Sequence, residues 1–175
     1  TIELAEFPDR PYWGDTHLHT DNSVDAFGFG VRLGPEAALQ FARGDEVTAT
    51  TGGQVQLARP LDFLVIADHS DGLGSTRRLY NAPRLAVQAM GDDIMLRWYD
   101  MMHESPEKGV EAALELISAG SQGNIPPAVV NPKIARTIWD DYLETAEEFN
   151  EPGRFTALAG YEWTSLVEGD NLHRV

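Results

Sequence analysis

Cysteine is missing from the 175 residues of the chain, which excludes disulfides, a thiolate nucleophile and cysteine-held zinc or iron–sulfur sites. Basic residues are scarce: 13 Lys and Arg stand against 28 Asp and Glu, a formal net charge of −15. That balance argues against a long nucleic acid as partner, because polyanion binding depends on Lys and Arg displacing condensed counterions. No apolar run reaches the roughly 18 residues of a membrane-crossing helix, so no membrane span is expected. The chain starts at Thr1 with neither an initiator Met nor a basic-then-apolar leader. A trimmed or processed start is expected, with any signal peptide already removed, and periplasmic, secreted and cytoplasmic locations all stay open. The hydrophobic content of 42% is that of one globular domain spanning 1–175. Oligomeric state is not encoded in any of this. A bound metal would have to be held by His, Asp and Glu.

Histidine is scarce too, at five residues, yet two stand one apart in YWGDTHLHTDNSVDA, residues 12–26. The lead-in before it, with Pro8 and Pro11, reads as extended. GDTHLHT alternates, so Asp15, His17 and His19 share one face of a short strand while Thr16, Leu18 and Thr20 share the other. GPEAALQFARG predicts a helix over about 35–43, with Pro35 in its first turn and Gly44 ending it. In RPLDFLVIADHSDGLG, the run from Phe63 to Ala67 predicts a strand covered on both faces, stopping at Asp68 and His69. Residues 72–153 read as a helical insertion of three stretches, with Gly91 as a weak point in the first and a loop, SAGSQGNIPPAVV, before the third. Asn131 is a plausible cap and Pro132 a first helical residue of that third stretch. The Trp, Tyr and Met residues there are expected in the core. RFTALAGYEWTSLVEGDNLHRV returns to strand character, with Glu162 near the end of an apolar stretch and a last strand beginning. Strand, helix, strand, helices, strand is the order of an α/β fold with parallel strands.

In such folds, functional groups gather where strands end. His17 and His19, then Asp68 and His69, then Glu162, fall at three such ends. An HxH pair alone is often a surface or core pair; three segments delivering imidazole and carboxylate to one rim point to a metal site. Those donors suit zinc, manganese or iron better than calcium or magnesium, which prefer all-oxygen shells. Asp21, Asn22, Asp71 and Gly72 read as turn residues, and Gly28 and Gly30 either as turn glycines or as places where a loop approaches substrate. Arg32 and Arg174 are candidate contacts for an anionic substrate, against the simpler reading of ordinary salt bridges. His103, in a helical stretch, is expected to be structural or at the surface.

GDTHLHTDNSVDA, VIADHSDGLG and LAGYEWTS with NLHRV resemble successive motifs of the PHP superfamily, the polymerase and histidinol phosphatase metalloesterases. More narrowly, HTDNSVDAFGFGVRLGPEAALQFARGDEV with RPLDFLVIADHSDGLG resembles a PHP-like branch catalogued as a domain of unknown function. The resemblance implies a distorted, TIM-like β/α barrel, of which this chain is the N-terminal part with its helical insertion. It implies metal ligands at His17, His19, Asp25, His69, Glu162 and His173, with Glu162 bridging two metals. Asp15 would orient an imidazole, and Asp68 would be a supporting carboxylate. It implies two or three divalent transition metal ions, zinc, manganese or iron. The activity implied is hydrolysis of a small anionic phosphate ester by metal-activated water with no side-chain nucleophile. A further histidine and a C-terminal Asp-x-His of the superfamily pattern find no counterpart before Val175. Two alternatives stand beside this: a two-metal hydrolase of a non-phosphate bond such as an amide or lactone, and a catalytically incomplete fragment that only binds metal.

Overall fold

Two short strands, one polar and one apolar, begin the architecture. In the computed structural model, which describes residues 9–175, β1 (Gly14–Leu18) and β4 (Phe63–Ile66) run parallel and side by side. The expected lead-in is described only from Asp9 onward; its earlier residues, Pro8 included, lie outside the described residues. The pairing matches Gly14 with Phe63 and Asp15 with Leu64, then slips before Leu18 meets Ile66. β5 (Thr156–Ala159) adds in parallel on the other side of β4, from Phe63 opposite Thr156 to Ile66 opposite Ala159. The order β1-β4-β5 leaves β4 central, which is why it carries the unbroken apolar run: Leu64, Ile66 and Ala67 are all but inaccessible.

Between β1 and β4 lie α1 (Val24–Gly28), α2 (Pro35–Ala42) and a ribbon of β2 (Val47–Thr48) with β3 (Gln54–Val55). α2 starts and stops as its Pro35 and Gly44 demand, one residue short of the expected end. The ribbon is too short to show as an alternating pattern. Between β4 and β5 come five helices rather than three stretches: α3 (Ser75–Asn81), α4 (Arg84–Ala89), α5 (Asp93–Glu104), α6 (Pro106–Ser121) and α7 (Pro132–Phe149). α3 is an additional helix ahead of the first expected stretch, and that stretch itself divides into α4 and α5 at Gly91, whose φ of +68° suits glycine. Asp92 then caps α5, accepting from the N–H groups of Ile94 and Met95. After β5 the chain forms a hairpin of β6 (Trp163–Ser165) and β7 (Leu172–Arg174), antiparallel, across a 3-10 turn at Val167–Gly169.

The core is in two parts. Leu39 and Ala42 of α2, Leu64 and Ile66 of β4, Tyr142 and Ala146 of α7, and Phe155 pack together on the sheet. Phe27 of α1, Leu79 of α3, Val87 of α4, Met95, Trp98, Tyr99 and Met102 of α5, and Ala112 and Leu116 of α6 form the second part. Trp98, Tyr99, Tyr142, Met95 and Met102 are core residues, as expected, and Tyr80, Met101 and Trp139 pack against the core partly buried; Met90 departs from the expectation, 54% exposed where α4 ends. Gly28 faces α6 so closely that a Cβ would lie 2.2 Å from that of Ala113, so its smallness serves helix packing. The described residues form a mixed α/β fold with seven α-helices and no closed barrel. No described helix is long and apolar enough to cross a membrane.

Candidate metal centre

The carboxyl ends of β1, β4 and β5 point the same way, and the chain leaving each brings polar groups to one place. Beyond β4 and β5 the two backbones stay in step: His69 bridges Glu162 in parallel, the Glu162 N–H donating to Asp68 O at 3.0 Å and the Ser70 N–H to Glu162 O at 2.9 Å. Gly160 permits this, since a Cβ there would lie 2.3 Å from Val65 Cγ1. Glu162 is thereby held beside His69 with only 2% exposure.

Around that carboxylate stand four imidazoles. Glu162 Oε2 lies 3.3 Å from His17 Nε2, 3.0 Å from His19 Nε2 and 3.4 Å from His69 Nε2, while Oε1 lies 2.7 Å from His173 Nδ1. Asp25 closes the far side, with Oδ1 3.1 Å from His19 Nδ1 and Oδ2 3.4 Å from His69 Nε2. His17 Nε2 and His19 Nε2 approach to 3.1 Å. Three groups, His17–His19–Glu162, His19–Asp25–His69 and His69–Glu162–His173, each have donor atoms within 4.8 Å of one another and could hold a metal ion. The donor set fits a metal ion: imidazole nitrogens converge on carboxylate oxygens, with Glu162 and His69 buried. His17 is half-exposed, so the cluster is reachable from solvent.

Charge follows this geometry. Burial pushes against the charged form of His19, but the Asp25 contact and the charges of Glu162 and Asp68 outweigh it and raise its pKa. Burial would raise Asp25, yet hydrogen bonds from His19, His69 and Ser23 hold it far below the usual carboxylate range. Glu162 behaves alike: burial opposes ionisation, and the histidines around it lower its pKa overall. Asp68 goes the other way, raised chiefly by burial.

The supporting groups are specific. Asp68, 5% exposed, accepts the Thr20 hydroxyl at 2.7 Å and also the Thr20 N–H, tying the chain after β1 to the end of β4. Asp15 Oδ1 accepts the backbone N–H of His17 at 2.8 Å, so it fixes the strand rather than an imidazole ring. Ser23 Oγ donates to Asp25 Oδ1 at 2.6 Å and accepts the His69 N–H at 3.2 Å. Thr164 Oγ1 sits 2.7 Å from His69 Nδ1. Neither Ser23 nor Thr164 stands out in sequence. Ser23 precedes a helix of five residues, too short for a periodic signal, and Thr164 meets a histidine 95 positions away.

Six of the expected ligands, His17, His19, Asp25, His69, Glu162 and His173, are brought together. The two arginines are not part of the cluster. Arg32 lies over the Phe27 ring at 3.8 Å and donates to the carbonyls of Phe27 and Val31. Arg174 follows His173 on β7 and projects to the opposite face of that strand. His103 stacks between Tyr80 and Tyr99, both at 4.2 Å, with Nδ1 2.8 Å from Tyr99 O. Asp21 and Asn22 lie in the turn after His19, and Gly72, at φ +74°, in the turn after His69.

No curated protein and no solved structure matches the chain. Residues 6–175 match the family described as Protein of unknown function (DUF3604), and the chain belongs to that family.

Proposed function

We propose that the chain carries the metal centre of a hydrolase, a phosphoesterase of PHP type acting on a small anionic phosphate ester at a di- or trinuclear site. The observation that carries this is the single buried Glu162 carboxylate, its two oxygens directed to different imidazoles at 2.7–3.4 Å. That is the disposition a bridging carboxylate needs. Three parallel strands with the cluster at their carboxyl ends support the PHP reading, and the complete distorted barrel belongs to this proposal. Zinc, manganese or iron suits the donors; such an ion supplies Lewis acidity toward a substrate oxygen and lowers the pKa of water.

The chain's own residues prepare that chemistry. With Thr164 Oγ1 taking the Nδ1 proton of His69, the Nε2 lone pair of the same ring is left free toward Glu162 and Asp25. Ser23 holds one oxygen of Asp25 and leaves the other toward His69. The reaction is attack of water on phosphorus, with the phosphorus–oxygen bond to the alcohol breaking and one proton passing to the departing oxygen. No side-chain nucleophile takes part.

Hydrolysis of a non-phosphate bond is the second reading, favoured by one observation: among the described residues lining the cavity beside the cluster, none is Lys or Arg. A panel of phosphate monoesters, diesters, lactones and amides, run on the longest natural form of the protein, separates the two. Glu162→Gln and His17→Ala are expected to lose bound metal and at least about a hundredfold in turnover, a loss typical of disturbed metal ligation, with the fold retained. Normal turnover by either variant contradicts the proposal.

A further inference from the structure

A cavity of about 730 Å³ opens directly on the cluster, with Asp25, His69 and His173 in its lining. Its size is that of a site for a small organic molecule. Away from those three residues its character changes. Leu116 and Ile117 of α6, Ile125 after it, and Trp163, Leu166 and Val167 of the hairpin supply an apolar lining. The remaining charges in the described lining are the carboxylates of Asp71 and Glu168, with no cation to offset them. Trp163 and Val167 keep 46% and 68% exposure, so this apolar surface is available rather than packed away. The turn that carries Val167 is held in an uncommon conformation: Glu168, not a glycine, has φ +54°.

The chemistry of that lining selects a ligand. A second anionic group, such as another phosphate or a carboxylate, would enter a low-dielectric space facing carboxylates and no counter-charge. A sugar would find hydrogen-bond partners only along the polar side of the lining, at Asp71, Ser121, Thr164, Ser165, Glu168 and Asn171, and would leave its remaining hydroxyls against the aliphatic wall of Leu116, Ile117, Ile125 and Leu166. An aryl or branched alkyl group would instead bury apolar surface against Leu116, Ile117 and Leu166 while the bond to be cleaved lies beside His69 and His173.

We propose that this cavity holds the uncharged, apolar alcohol portion of the substrate, making the preferred substrate an ester of an aryl or hydrophobic alcohol rather than of a sugar or nucleotide. The assignment rests on the hydrolase reading for the identity of the scissile bond. Binding of the apolar portion itself does not depend on a metal, and that separates the two in the test.

The probe is 1-naphthol, the alcohol of 1-naphthyl phosphate, titrated against the metal-free protein and followed by the fluorescence of the Trp residues. Saturable binding is expected, weakened at least tenfold by Ile117→Asn and by Val167→Asp. Val167 is exposed, so its variant is expected to fold even if the Ile117 variant does not, and circular dichroism checks both. In the metal-loaded protein, kcat/KM for 1-naphthyl phosphate should exceed that for glycerol 3-phosphate at least tenfold, with the preference lost in Val167→Asp. Absence of saturable naphthol binding, or binding unchanged in a folded Val167→Asp, overturns the cavity assignment. Naphthol binding that depends on Val167, with no ester of any class hydrolysed, supports the apolar cavity and overturns the hydrolase reading alone.

Discussion

At the residue scale, the centre depends on how few groups are asked to do several things. Glu162 faces four imidazoles at once, and each of those imidazoles needs its other nitrogen or its backbone fixed. Thr164 does this for His69. Thr164→Val keeps the shape and removes the oxygen, so His69 loses the partner that sets its tautomer. Metal affinity is expected to fall about 10- to 100-fold, measured by competition with a chromogenic chelator, with thermal stability of the metal-free protein little changed.

His19 gives a second residue-scale expectation. Its pKa is raised above 6.5 by the carboxylates around it, which overcome its burial. A raised folded-state value means that pairing stabilises the metal-free protein fully below the unfolded value and is lost as pH rises through the folded value. A metal ligand must instead be deprotonated. Acidification from above the raised value toward 6.5 should therefore raise the Tm of the metal-free protein while shrinking the Tm increase produced by metal. Melting curves with and without zinc across that interval check it. A metal-induced increase that grows on acidification contradicts the role given to His19.

At the scale of elements, α7 is joined to the sheet by one polar contact inside an apolar interface. The Tyr142 hydroxyl, on a buried ring, lies 3.3 Å from Ile66 O, at the end of β4 nearest the centre, and 3.1 Å from Leu158 O of β5. Tyr142→Phe should cost about 1 kcal/mol, the net worth of one such hydrogen bond, read from urea unfolding. What was legible in sequence at this scale follows from signal length. α2, α7 and β4 carried long apolar patterns with Pro, Asn or Gly at their ends, and the structure has them nearly where expected. The β2–β3 ribbon and α1 were not legible, since two-residue strands and a five-residue helix are too short to set a period. The helical insertion was visible as helical but not as five pieces: Gly91 marked a weak point, which its positive φ turns into a break, while α3, at seven residues, is too short to set a period.

For the whole molecule, the site was more legible than the architecture. HxH, DH and a glutamate after an apolar stretch are local patterns, and parallel strands bring their ends together whichever way the sheet continues. Supporting contacts such as Thr164 to His69 span 95 positions and leave no local trace. The closed barrel implied by resemblance is not formed by the described residues, which give three parallel strands with β1 and β5 at the edges. The net charge of −15 also takes on a local meaning, since part of the acidic excess stands where cations would offset it. Elemental analysis of the longest natural form, purified without added metal, tests the central claim most directly. Two or three zinc, manganese or iron ions per chain, reduced by His17→Ala, is the expected result; no bound metal even after reconstitution would contradict the metal centre and the hydrolase built on it.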